Sequence, residues 1–303
     1  MSTSVEEANA VISEPHGSAR ALTSRSARML PDEPVIKIRP ASFWAGVDFA
    51  EIWEHREVLY FLMWRDLKVR YKQTILGAGW VVLQPVLMTA VFAIFLGRLI
   101  KVPSDGVPYP LFAYSGLLLW TFLSNAVLSS CYSLVTNAQI ITRIYFSRLL
   151  IPTSTVGVRV VDLLIAAALL LGLMFYYRVP LSPSLLLLSW LVIQITTLAL
   201  AVGFLGAALN VRYRDVGTLA PILLQVWMFA SPIAYSSSIV PARLQWLYSL
   251  NPLVGIIDGF RAALFHLPLP WQSMAVSAAV TFPLLIFAVH LFRKLESTFA
   301  DDI

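Results

Sequence analysis

From Ile75 onward the chain alternates long apolar runs, all but the third uncharged, with short charged or proline-marked breaks. A crossing of the bilayer needs about 20 predominantly apolar residues, and the pattern predicts six transmembrane helices. They are Ile75–Gly97, a second within Tyr109–Val135, Val156–Tyr177, Ser184–Asn210, Thr218–Tyr235 and Trp271–Phe292. Between the fifth and sixth, Ser236–Pro270 is too short and too proline-rich for two more crossings. Its apolar pieces, Leu244–Leu250 and Leu253–Phe265, are interrupted by Asn251-Pro252 and by Asp258 and Arg261. Pieces of that length read as re-entrant or interfacial helices, which survive at membrane depth only when buried in protein or lining a wet cavity. Ahead of the first run, residues 48–63 carry Phe49, Ile52, Trp53, Tyr60 and Met63 at helical spacing. Glu51, Glu54 and His55 take another face, and Asp48 with Glu51 resembles a capping box. This mixed stripe suits a helix lying in the membrane interface; packing against the protein's own inner side is the alternative. The expected fold is an all-α membrane protein with six transmembrane helices, an N-terminal amphipathic interfacial helix, and outer re-entrant helices between spans five and six.

Composition agrees with this class. The chain is 58% hydrophobic and 13% charged, with a mean hydropathy of +0.75, whereas soluble domains are about a quarter charged. Residues 1–45, rich in Ser, Ala, Glu, Arg and Pro and without an apolar signal-peptide core, are expected to be a disordered cytoplasmic tail; 46–303 is the transmembrane domain. Basic residues favour the cytoplasmic flank of a span. Arg65, Lys68, Arg70 and Lys72 stand just before the first run, so that run is oriented from inside to outside. The topology then places only Arg98, Lys101, Arg178, Arg243 and Arg261, of 22 Lys and Arg, on the outer side. Both termini and the loop Asn137–Pro152 are expected in the cytoplasm. The net charge of +5 reflects these flanks and is not a nucleic-acid signal. Cys131 is the single cysteine and lies in an apolar run, where packing is its expected role.

Chemistry-bearing patterns are sparse. None of Lys37, Lys68, Lys72, Lys101 and Lys294 follows a glycine, so the chain has no Gly-Lys-Ser/Thr phosphate loop and cannot hydrolyse ATP by that route. His16, His55, His266 and His290 are scattered, and no pair has metal-ligand spacing. No catalytic cluster and no metal site is expected. Within the third run, Arg159 and Asp162 are three apart and share a helix face. An ion pair that offsets the cost of burying either charge is the plain reading, and a part in gating is the sharper one. Asp258 and Arg261 repeat the spacing. Trp80, Tyr114, Trp227 and Tyr235 fall on or near spans one, two and five. An aromatic belt accounts for most of the chain's aromatics, while rings facing a channel would give sugars an apolar platform. The Asn137–Pro152 loop combines Ile140, Ile141, Ile144 and Tyr145 with Arg143 and Arg148, which suits either interfacial packing or docking of a soluble partner.

Several motifs carry a family resemblance. Arg65-Asp66-Leu67-Lys68-Val69-Arg70-Tyr71-Lys72, followed by Leu76-Gly77 and Trp80…Gln84-Pro85, resembles the first-span signature of ABC-2 type permeases, in the branch that exports polysaccharides. Asn137…Ile144-Tyr145-Phe146…Pro152 resembles that family's first cytoplasmic loop, with Ser147 where the family often has proline. Asn210-Val211-Arg212-Tyr213-Arg214-Asp215, then Pro221…Gln225 and Ser231-Pro232, resembles its entry into span five. Asn251-Pro252…Phe260-Arg261 resembles the outer re-entrant segment, and Phe299-Ala300-Asp301 the C-terminal ending. Order and spacing together are more specific than any one motif. The resemblance implies a subunit that pairs with itself in the bacterial inner membrane and binds two copies of a separate cytoplasmic ATPase. ATP and Mg would act through that partner, with no cofactor bound by this chain. It implies export of a lipid-linked polysaccharide through a channel at the homodimer interface, O-antigen first, with capsule or teichoic acid as alternatives. The rival classes are an ABC-2 drug or lipid exporter and a membrane-embedded enzyme of polymer assembly.

Overall fold

The computed structural model describes residues 55–72, 77, 79–141, 146–180, 184–241, 243–296 and 299. The expected tail at 1–45 and the first residues of the amphipathic stretch lie outside them. All described residues belong to one compact unit, Gly46–Ile303. They form helices, in chain order α1 (Arg56–Lys72), α2 (Gly79–Phe92, continued by a π-helical turn, Ala93–Ile100), α3 (Tyr109–Thr136), α4 (Ala138–Ile141), α5 (Leu150–Tyr176), α6 (Leu185–Arg212), α7 (Asp215–Phe229), α8 (Gln245–Ser249), α9 (Pro252–Phe265) and α10 (Trp271–Glu296). No strand occurs among the described residues.

Five helical stretches are long and apolar enough to cross a membrane: Gly79–Ile100, Tyr109–Thr136, Leu150–Tyr176, Leu186–Arg212 and Trp271–Glu296. They correspond to the first, second, third, fourth and sixth expected spans. The fifth differs. Instead of a run from Thr218 to Tyr235, α7 has 15 residues, about 22 Å at 1.5 Å per residue against a hydrocarbon core of about 30 Å. It stops because Ser231-Pro232 breaks the ladder: Pro232 has no N–H to donate. The chain turns there and passes through a short 3₁₀ segment, Ser237–Ile239. The two apolar pieces beyond it are helices, α8 and α9, separated by Asn251, whose side chain accepts from the Leu253 N–H at the start of α9. The amphipathic stretch does not end at Met63; α1 runs on to Lys72 and carries the basic strip with it.

α3 is the central helix. Of its apolar stretch 78% is buried, against 11% for the first span and 28% for α10. α3 packs chiefly on α6 and α5, and α6 on α10. Without a hydrophobic driving force between helices in lipid, close approach depends on small residues. A Cβ on Gly203 of α6 would stand 2.6 Å from Ser130 Oγ of α3, and one on Gly255 of α9 would stand 2.1 Å from the Ser273 carbonyl of α10. One apolar cluster fills the space among α3, α5, α6, α9 and α10. A second joins Leu62 of α1, Ile141 of α4, the start of α5, Phe204 of α6, and Phe292 and Phe299 at the C-terminal end.

Candidate transport site

Two polar clusters interrupt this apolar body. The first lies where α1 meets α5. Arg70 Nη1 is 2.8 Å from Asp162 Oδ2, and Arg159 Nη1 reaches the same oxygen at 3.3 Å. The Tyr71 hydroxyl donates to Asp162 Oδ1. Burial, and then the bond to that carboxylate, raise the Tyr71 pKa, so the phenol stays a donor. Arg159 also donates through Nε to Ser129 Oγ of α3 at 3.0 Å. One carboxylate in a candidate span thus holds two guanidiniums from different helices, an arrangement that persists in an apolar setting only when its bonds are made. Arg65 extends the cluster: it pairs with Asp66 at 2.8 Å and donates to Asn137 Oδ1 at 2.8 Å. Arg70 and Arg159 together line two cavities. One, of about 100 Å³, includes Trp80, Gln84 and Asn125. The other, of about 180 Å³, includes Asp66, Ser129 and Thr155.

The second cluster surrounds the break after α7. Arg261 of α9 is 2% exposed. Its Nη1 donates to the Pro232 carbonyl at 2.6 Å, and its Nη2 to the Ile233 and Phe112 carbonyls at 2.7 and 3.1 Å. The guanidinium carbon lies 3.5 Å from the Phe112 ring centroid. A rigid fork with several donors suits converging carbonyls in a way a lysine does not. Asn251 secures the other side of the break, accepting from Trp227 Nε1 at 3.0 Å and donating to the Ala230 carbonyl at 3.1 Å and to Ser231 Oγ at 2.9 Å. Ser236 and Ser238 hydroxyls reach Asp105 in the turn before α3. Beside the break an open hollow of about 440 Å³ is lined by Trp227, Leu247, Tyr248, Asn251 and their neighbours.

The residues singled out from sequence are placed as follows. Arg159 and Asp162 are together, but the shorter contact to Asp162 comes from Arg70. Trp80 is 53% exposed on α2. Trp227 is half-buried, edge-on to Trp120. Tyr235 is half-buried, donates to the Phe229 carbonyl at 3.0 Å and accepts from the Tyr248 hydroxyl at 3.2 Å. Tyr114 corrects the expectation for the channel: it is wholly buried within the subunit and donates to the Ala166 carbonyl of α5 at 2.9 Å, so it presents no surface to a polymer. In the loop, Ile140 is half-buried, and Ile141 is buried in the second apolar cluster rather than offered to a partner. Arg148 donates to the Glu296 carbonyl and lies over the Phe299 ring, tying the loop to the end of α10. Arg143, Ile144 and Tyr145 lie outside the described residues. Sequence reasoning missed Arg70 as a partner of Asp162, and it gave Arg261 only Asp258 at helical spacing, whereas its hydrogen bonds go to three carbonyls and to Ser115 Oγ. The signal for the latter was an arginine beyond a Ser-Pro break. Among the described residues no three His, Cys, Asp or Glu gather as metal ligands would.

Several apolar helices of membrane-crossing length, with charges paired between helices, define a multi-pass membrane protein. The chain belongs to the ABC-2 type transporter family, which it matches over residues 57–265, from α1 through α9. It is 29% identical over 258 residues to the O-antigen export system permease protein RfbA of Myxococcus xanthus, covering 84% of this chain and 98% of that protein. It is 27% identical over 251 residues to the O-antigen export system permease protein RfbA of Klebsiella pneumoniae, covering 81% and 94%. The membership makes the chain a permease subunit of an ABC-2 type exporter.

Proposed function

We propose that this chain is the membrane subunit of an exporter that moves a lipid-linked polysaccharide, O-antigen in the first instance, from the cytoplasmic to the outer side of the inner membrane. The single observation that carries the reading is the similarity to two O-antigen export permeases over 94% and 98% of their lengths. In this reading two copies form the channel and two copies of a separate ATPase supply the energy, with ATP and Mg bound there. The absence of a phosphate-binding loop from this sequence supports that division of labour. α1 lies in the inner interface, the basic strip faces the cytoplasm, and α8 and α9 re-enter from the outside. Trp80, Trp227 and Tyr235 face the polymer path, because an aromatic ring offers its apolar face to a sugar. The hollow beside Trp227 is the outer mouth of that path. The loop from Ile140 to Arg148, with Arg143, Ile144 and Tyr145, meets the ATPase.

Deleting the gene from its own bacterium tests the reading. Surface O-antigen should disappear from lipopolysaccharide gels, with lipid-linked polymer accumulating inside, and the plasmid-borne gene should restore it. Surface O-antigen at the parental level in the deletion strain would overturn the assignment. Loss of a capsule or wall polymer instead would move it to another cargo.

A further inference from the structure

The loop between α3 and α5 is gripped at both ends by elements outside it. At the first, Arg65 of α1 donates through Nη2 to Oδ1 of Asn137, the residue that ends α3, at 2.8 Å. At the second, Arg148 is held by the end of α10. Its backbone N–H donates to Glu296 Oε1 at 3.3 Å, its Nη1 donates to the Glu296 carbonyl, and its guanidinium carbon lies 5.9 Å from the Phe299 ring centroid. The last carbonyls of a helix have no partner within it and carry the negative end of its dipole, so an arginine suits that position.

Phe299 anchors this grip. The last residues of a domain are poorly ordered unless tied down. Phe299, past the end of α10, is nevertheless wholly buried and stands edge-on to Phe292 with ring centroids 5.3 Å apart. It belongs to the same buried apolar cluster as Ile141, just before the loop, and Leu149 and Leu150, just after it. Both feet of the loop and the end of α10 therefore share one apolar base. Elsewhere α5 and α10 are joined chiefly through α6, which packs against each of them. The Phe299-Ala300-Asp301 motif lies beyond residues 57–265, the part matched to the family, and neither the polymer path nor the Asp162 cluster uses it.

We propose that Glu296 and Phe299 are positioning residues for coupling: they clasp Arg148, so that a push of the partner ATPase on the loop moves α10 together with α5. The inference rests on the reading in which the loop meets the ATPase, and it deepens that reading by naming a second span that answers the push. Packed elements pass on a displacement when they are tied closely enough to shift as one body. A buried ring beneath a charge-assisted hydrogen bond makes such a tie, whereas an exposed ion pair contributes little.

Inverted membrane vesicles carrying the full-length permease and its ATPase test it, with three quantities scored: ATPase co-purified, ATP hydrolysed, and polymer exported per ATP. Phe299→Ala and Arg148→Ala should each keep the ATPase bound and lower polymer exported per ATP by about tenfold, within the range by which changes along a coupling path act. The double variant should be no worse than Phe299→Ala alone, because the two residues act as one unit. Phe299→Leu should recover most of the loss, since it keeps an apolar plug in the cluster. A lower yield or melting temperature with export per ATP unchanged in the assembled complex would mean that Phe299 only stabilises the fold, and it overturns the proposal. Single effects that add in the double variant overturn it as well. Ile144→Asp, measured alongside, separates the two readings. A defect there beside a normally coupled Phe299→Ala removes the clasp alone. Unchanged assembly and export in Ile144→Asp removes the contact between loop and ATPase, and the proposal with it.

Discussion

Arg261 shows how one side chain can hold a broken backbone in an apolar setting. Three carbonyls at the break and on α3, those of Pro232, Ile233 and Phe112, receive its guanidinium, and burial leaves them no water as a substitute. A buried acceptor deprived of its donor costs about 1–3 kcal/mol. Arg261→Met should therefore lower the melting temperature of the purified protein sharply. Arg261→Lys should rescue little of it, since an ammonium cannot span the three acceptors as a planar fork does. A lysine variant melting with the wild type would show that charge alone suffices. Gly116 is required by the same contact. A Cβ there would stand 2.5 Å from the Ile233 carbonyl and 2.7 Å from Arg261 Nη2, whereas one on Gly172 meets nothing within 4 Å. Gly116→Ala should destabilise by about 1–3 kcal/mol, as overpacking does. Gly172→Ala, in open space near the end of α5, should be neutral or stabilising by up to about 1 kcal/mol. Thermal melts of the two variants side by side check this, and equal melting points would refute the close approach.

At the scale of elements, α1 is more than an interfacial stripe. Tyr60 and Trp64 stack with centroids 6.4 Å apart, and Lys68 Nζ stands 5.1 Å from the Trp64 ring. These residues follow one another at i, i+4 and i+8, so one face is an aromatic-cationic ladder. Leu62 points the other way, into the second apolar cluster. A helix with one face in protein and an aromatic-basic face outward suits the headgroup layer. The order of the helices sets up a topology experiment. Ser104 precedes α3 and Ser147 precedes α5, so α3 lies between them. Cysteines at these positions should label from opposite sides of the membrane with an impermeant thiol reagent. The native Cys131 is buried and gives little background. Labelling from the same side would remove α3 as a crossing and reverse every later element. The loop between α3 and α5 carries a second test. Ile144→Asp should lower co-purification of the partner ATPase, or uncouple its hydrolysis from export, while leaving the spans folded. Unchanged assembly and export in that variant would take the loop out of coupling.

At the scale of the whole molecule, the division between sequence and tertiary structure follows from what each physical term depends on. Helical class and the positions of five long spans were legible, because length and hydropathy are local properties and a bilayer demands them residue by residue. The family was legible from the order of short motifs between Arg65 and Asp301. The arrest of α7 was half legible: Ser231-Pro232 announced a break, but the apolar residues on either side read as one span, since hydropathy does not register a missing N–H. What no local pattern could supply was partnership across the chain. Arg70 and Asp162 are 92 positions apart, and Arg261 and Phe112 are 149 apart. Which of the basic flank residues reaches a buried carboxylate depends on how α1 lies against α5. Tyr114 illustrates the same limit from the other side. Its place on a span and its aromatic ring suited a channel wall, yet the packing of α3 at the centre of the bundle encloses it and gives its hydroxyl to Ala166. Sequence by itself determined that the chain is helical, apolar enough for membrane and without its own nucleotide loop. Only the tertiary structure decided which charges meet, which aromatics remain at a surface, and where two arginines leave a cavity between them, because burial and contact are properties of packed helices and not of any one of them.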